Sequence, residues 1–154
     1  ITKPLYGNGG EGIHRFDKTN FDSKILEEYL HLPIMVQKFI NEIEHGDRRI
    51  IFFDGEYFGS VARIPQEGNL KANFHAGGKA VKTGLVYRDK EIIENLGPKL
   101  KEHNLFFVGI DIIGNYLTEI NVTSPTGLKQ INALNNVKLE KDFWDKLEAK
   151  YKLV

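Results

Sequence analysis

The sequence contains no cysteine, which excludes disulfides, thiolate metal ligands and a cysteine nucleophile, and agrees with a reducing compartment. It has no charge excess either: 21 Lys+Arg balance 21 Asp+Glu, so nothing marks a general polyanion binder and any anion site must be local. No apolar run approaches the roughly 20 residues that cross a bilayer, and no signal-peptide pattern leads the chain. A cytoplasmic chain is expected, with neither nucleic acid nor membrane among its partners. Histidine pairs at a ligand spacing are missing too, since His14, His31, His45, His75 and His103 are scattered. No repeat or low-complexity linker interrupts the chain. What remains is 154 residues, 41% apolar and 27% charged, one domain's worth of ordinary globular composition with enough chain for a substantial core. It opens on Ile1-Thr2-Lys3-Pro4 without an initiator methionine, like the end of a strand, and is expected to be a fragment.

The most informative stretch runs from Leu105 to Pro125. Two apolar runs flank a turn signal, Gly114-Asn115, as in a β-hairpin. A three-residue loop, Gly114 to Tyr116, sets Asp111 opposite Glu119 and Gly109 opposite Asn121. Asp111, Glu119 and Asn121 then share one face, and Val108, Ile110, Ile112, Ile120 and Val122 the other. A two-residue loop would slip the register by one and turn Asp111 to the wrong side. Two carboxylates and an amide oxygen on adjacent strands form a hard-oxygen site suited to magnesium. An edge strand with solvated polar residues is the plain alternative.

Elsewhere, Lys3 precedes glycines 7, 9, 10 and 12. Such a loop can cradle a polyphosphate, although no Gly-Lys-Ser or Gly-Lys-Thr follows, and taken alone the glycines read first as a hairpin tip. Phe21 to Leu32 has a helical apolar spacing that Pro33 ends, and Ile34 to Ile40 reads as a strand. Arg48–Phe53 and Glu56–Ile64 form a hairpin about Asp54-Gly55. Arg49 and Arg63 lie near its outer ends, within reach of an anion or simply solvated. Pro65 to Gly78 is long and irregular, a candidate lid or a surface excursion. Asp89 to His103 reads as a helix that Pro98 kinks or breaks. Thr123 to Gly127 is turn-rich, and Leu139 to Leu153 is a charged helix with a core stripe of Phe143, Trp144, Leu147 and Tyr151.

Together, Lys3-Pro4-Leu5-x-Gly7-x-Gly9-Gly10, Gln37-x-Phe39-Ile40, Gly46-Asp47-x-Arg49, Ala62-Arg63-Ile64-Pro65, Ala76-Gly77-Gly78, Gly109 to Gly114 and Leu117 to Thr126 resemble prokaryotic glutathione synthetase of the ATP-grasp superfamily. The likeness runs over nearly the whole chain. It implies an α+β ATP-grasp fold of antiparallel sheets packed with helices, residues 1–154 being the C-terminal part of that domain and the N-terminal substrate domain being absent. It implies an ATP-dependent ligase joining γ-glutamylcysteine and glycine through an acyl phosphate, with ATP and two magnesium ions. An inactive nucleotide-binding module, or a ligase for another acid and amine, are the alternatives.

Carried over by residue, the resemblance puts Lys3, Gly9 and Gly10 at the nucleotide phosphates. Gln37, Lys38, Phe39 and Ile40 would lie along the adenine and Asp47 near the ribose. Asp111, Glu119 and Asn121 would be magnesium ligands, with Glu119 bridging, and Arg49 and Arg63 would face the reacting carboxylate and phosphoryl group. Lys71, Asn73, Gly77 and Gly78 would bind substrate in the mobile loop. There the chain departs from the family: Lys71-Ala72-Asn73 stands where arginine before Gly-Asn is common, and Lys79 follows the glycine pair where arginine is common. Lysine lacks the bidentate fork. The implied partners are the small-molecule substrates, the missing N-terminal half and further copies of the chain.

Overall fold

A computed structural model describes residues 1–6, 10–19, 21–27, 29–66, 72–74 and 77–152. Its centre is a five-stranded antiparallel sheet in the order β5-β4-β3-β6-β7. The strands are β3 (Asp47–Phe53), β4 (Glu56–Ile64), β5 (Lys79–Val81), β6 (Phe107–Ile113) and β7 (Tyr116–Asn121). Ahead of them, β1 (Thr2–Pro4) and β2 (Ile34–Val36) pair as a two-stranded ribbon with Lys3 opposite Met35. The helices are α1 (Ser23–Glu27), α2 (Tyr87–Glu102), α3 (Leu128–Asn135) and α4 (Leu139–Tyr151).

Alternation along β3 explains the layering. Ile50 and Phe52 point to one face and, with Val108, Ile110 and Ile112, bury completely beneath Ile92 and Leu100 of α2. Full burial of each such side chain stabilises the fold by about 1.5–3 kcal/mol. Ile51 and Val61 point to the other face, where Ile131 of α3 and Leu139 of α4 cover them. That second cover is partial. It spans the end of the sheet near Ile51 and leaves the end carrying Asp47, Arg49, Arg63 and Asp111 facing a cleft.

Two turns fix the geometry. Asp54 and Gly55 both have positive φ, +50° and +78°, the arrangement of a two-residue I′ hairpin. The turn seats α2: a Cβ on Gly97 would lie 2.2 Å from the Gly55 carbonyl oxygen, so the approach of helix to turn requires glycine. The helix runs unbroken through Pro98, which lies on its exposed side.

Several expectations need correction. The helix expected over 21–32 is confined to Ser23–Glu27 among the described residues, and the strand expected through Ile40 ends at Val36. The helix expected from Asp89 begins two residues earlier, because the Asp89 carboxylate accepts the Val86 amide as a cap at 3.1 Å. The expected core stripe on α4 is only partly buried. Phe143 packs between Phe53 and Phe107, but Trp144 is 58% and Tyr151 53% exposed. Helix α3 and strand β5 were not expected at all.

Candidate functional site

Antiparallel register brings four charges together. Asp47 pairs with Arg63 across β3 and β4, and Arg49 with Asp111 across β3 and β6, so all four side chains leave the sheet on the same face. Of the two readings of the arginines, reach of an anion or simple solvation, burial removes the second: Arg49 is 6% and Arg63 2% exposed. Arg49 grips Asp111 bidentately, Nε to Oδ1 at 2.5 Å and Nη2 to Oδ2 at 3.0 Å, and donates to the Thr126 carbonyl at 3.2 Å. Arg63 Nε donates to Asp47 Oδ1 at 2.7 Å, while its Nη2 contacts both Asp47 and, at 2.8 Å, Asp111. Gly109 makes room for this: a Cβ there would lie 2.6 Å from Pro125 and 3.1 Å from Arg49.

The electrostatics follow from the partner count. Burial would lower the Arg63 pKa, but its hydrogen bonds to Asp47 and the Asp111 charge outweigh that and raise it. Asp111, despite burial, is held below the usual carboxylate range by the hydrogen bonds of Arg49 and the charge of Arg63. Asp47 has one guanidinium rather than two, and burial pushes its carboxyl up.

On β7, Glu119 stands opposite Asp111 and Asn121 opposite Gly109, the expected pairs, but by a different route. The loop has two residues, Gly114 and Asn115, with Ile113 opposite Tyr116 and Ile112 opposite Leu117. A β-bulge at Thr118 then restores the register. Burial and then the neighbouring Asp111 carboxylate push Glu119 up, against Lys3 and Arg49. Glu119 is exposed and lines the cleft. The Asn121 amide nitrogen is buried with no hydrogen-bond partner in the described structure. Among the described residues no three carboxylates or histidines converge. The donor set is therefore two carboxylates and one amide, hard oxygens that fit magnesium. Three contacts from Arg49 and Arg63 already engage the Asp111 carboxylate, so a metal there would share it with both guanidinium groups.

These residues line a cleft of about 1700 Å³ between the large sheet and the ribbon. Lys3, Gly10, Gln37, Lys38, Phe39 and Ile40 form its far wall, and Asn73 lies at its edge. Gly77 and Gly78 are not in the lining; they close the loop base, Gly78 N donating to the Asn73 carbonyl at 3.0 Å. Lys79 pairs with Ile64 while Ala80 pairs with Arg63, so Lys79 takes the face away from the cleft. Gly9 and Lys71 lie outside the described residues. Sequence reasoning passed over Arg15, whose guanidinium sits 4.0 Å from the Phe39 ring centroid, and Phe74, whose ring lies 5.7 Å from the Arg63 guanidinium. No spacing or motif marked either one.

Residues 1–136 match the family model described as prokaryotic glutathione synthetase, ATP-grasp domain. The chain is 43% identical to a glutathione synthetase of Mesorhizobium japonicum over 99% of its own length and 50% of the relative's. It is 46% identical to one of Prochlorococcus marinus over 96% of its length and 49% of the relative's. It thus spans about half the length of the curated relatives it matches. Among solved structures it resembles the ATP-grasp ligase PsnB complexed with a minimal precursor, with a TM-score of 0.65 and 19% identity over 97% of this chain and 47% of that one. A D-alanine–D-alanine ligase of Bacillus anthracis complexed with ATP matches with a TM-score of 0.53 and 14% identity over 92% of this chain and 55% of that one. The fold is ATP-grasp.

Proposed function

The chain belongs to the prokaryotic glutathione synthetase ATP-grasp family, and on that premise we propose that it is the nucleotide-binding part of a ligase that joins γ-glutamylcysteine to glycine at the expense of ATP. The observation that carries this reading is the convergence of Asp111, Glu119 and Asn121 with Arg49, Arg63 and Lys3 on one cleft. Phosphoryl transfer is a problem of alignment and charge neutralisation more than of covalent chemistry, and this cleft supplies both.

In the proposed reaction the acid's carboxylate attacks the γ-phosphorus of ATP, and ADP departs with the electron pair of the broken P–O bond. The amine then attacks the acyl carbon, phosphate leaves, and the amine proton passes to solvent. Lys3, with Gly9 and Gly10, holds the phosphates; the segment from Gln37 to Ile40 lies along the base, and Asp47 lies by the ribose. Arg49 and Arg63 orient the carboxylate and the transferring group. Asp111, Glu119 and Asn121 are the residues that would hold two magnesium ions, which when bound offset the phosphate charge. Asn73, Gly77 and Gly78, with Lys71, belong to the loop over the substrate. Phe74 stacks toward Arg63 and keeps water from that side of the reacting groups.

Calorimetric titration of ATP with and without magnesium tests the site. Magnesium-dependent binding, weakened by both Asp111→Asn and Glu119→Gln, is expected; a well-folded chain that binds ATP equally without magnesium would refute the metal assignment. Because the chain spans half of its relatives' length, a second reading is a module that binds nucleotide but turns over only with the other half supplied in trans. Phosphate release across a panel of acids and amines, with and without that half, separates the two readings and checks the substrates.

A further inference from the structure

The hairpin that carries the acidic pair reaches its register against the odds. Its two-residue turn, continued without interruption, would set Thr118 opposite Asp111 and Glu119 opposite Ile110. Glu119 and Asn121 would then leave the cleft for the face of Ile110 and Val108. Apolar burial does little to prevent this. Among the described residues β7 is an edge strand with a single neighbour; its Leu117 and Ile120, and Val122 just beyond it, are all exposed. Electrostatics oppose the observed register, because it sets two carboxylates against each other.

Specific polar contacts must therefore decide. Thr118, the extra residue of the bulge, donates from Oγ1 to the Asp111 carbonyl at 3.0 Å. Behind the sheet, Arg48 donates from Nη2 to the Gly114 carbonyl at 2.7 Å, at the turn where Gly114 has a φ of +56°. Arg48 is itself clamped by Asp89, with Nε at 2.9 and 3.1 Å and Nη2 at 2.8 Å, and Asp89 is fully buried. Neither Thr118's bond to the backbone nor the Arg48–Asp89 clamp involves a group of the proposed chemistry. Arg48 does not reach the cleft at all.

We propose that Thr118 and Arg48 are positioning residues that select the bulged register and so place Glu119 and Asn121 beside Asp111. The role of the acidic set rests on the ligase reading; the choice of register does not. The test combines cross-strand Hα contacts by NMR with manganese binding followed by paramagnetic resonance, in the full chain and its variants. Wild type and Thr118→Ser are expected to show contacts from Asp111 to Glu119. Thr118→Val, and more so Thr118→Val with Arg48→Met, are expected to show contacts from Asp111 to residue 118 in exchange, with manganese affinity down about 10-fold to 100-fold. Deletion of Thr118 removes the extra residue, so an unbulged ladder then sets Glu119 opposite Asp111; that variant is expected to keep both the contact and the metal. The proposal is overturned if folded Thr118→Val keeps the wild-type contacts alone, or if the folded deletion variant loses them. Should the wild type bind no manganese, the metal reading fails while the NMR contacts still decide the register.

Discussion

Arg63→Met is the most demanding test of the buried charge network. Arg63 is 2% exposed and neutralises Asp47 while sharing Asp111 with Arg49. Its removal leaves Asp111 one guanidinium and Asp47 none. Breaking a buried pair on one side costs about 3–5 kcal/mol, against a total stability on the order of 5–15 kcal/mol. With urea slopes of about 1–3 kcal/mol per molar, the unfolding midpoint should fall by on the order of 2 M. The second substitution matters more than the first. Asp47→Asn added to Arg63→Met removes the stranded charge and should recover most of the loss, since a buried pair replaced as a unit is often nearly neutral.

The penalty should also depend on pH. Burial already raises the Asp47 pKa, and loss of Arg63 raises it further. A carboxyl whose folded pKa exceeds its unfolded value gains folding stability as pH falls through the folded value. The Arg63→Met deficit should therefore shrink as pH falls from 7 toward the ordinary aspartate value of about 3.9. Urea unfolding followed by circular dichroism at both values reads all of this. A single-substitution loss below about 1 kcal/mol, or a double variant no better than the single, would refute the reasoning.

Asp111→Asn acts with the opposite sign. Its folded pKa is lowered, so its contribution is present above the ordinary aspartate value of about 3.9 and lost as pH falls through the folded value; acid unfolding of the variant should show a flatter limb there. Gly97→Ala should destabilise despite a helix-propensity gain of about 1 kcal/mol, because the new Cβ would meet the Gly55 carbonyl oxygen at 2.2 Å; a higher melting temperature would contradict the packing. Glu119→Gln should slightly stabilise the free chain by removing a carboxylate from beside Asp111, while weakening magnesium-dependent ATP binding. Melting and calorimetry on one preparation check both halves of that trade.

Legibility followed the physics of each segment. β4 and the Asp54-Gly55 turn were readable because strand alternation and the I′ turn are local signals. Asp111 opposite Glu119 was also readable, though the reason offered was a longer loop. A bulge and a third loop residue shift register equally, and only the structure separates them. The burial of Arg49 and Arg63 could not be read, because it depends on two carboxylates from β3 and β6 arriving on the same face. α3 escaped notice because its N-terminus has no side-chain cap, no acidic residue sits in its first turn and no basic residue in its last. Trp144 and Tyr151 misled for a related reason: helical spacing says which side chains share a side, not that another surface covers that side.

Arg48 and Arg49 occupy adjacent positions in β3 and serve opposite faces, one bound to Asp89 beneath α2 and the other to Asp111 in the cleft. A misfolded chain in which β3 slid by one residue would turn each guanidinium to the wrong layer. Buried Asp89 would lose its counterion and Asp111 one of its two guanidinium partners at once, a far steeper penalty than the exchange of one isoleucine for another along this strand. The dipeptide thus ties the register of β3 to charge pairing on both faces of the sheet. Alternative pairings that satisfy hydrophobicity equally well are disfavoured by charge, so one register serves the core and the cleft together.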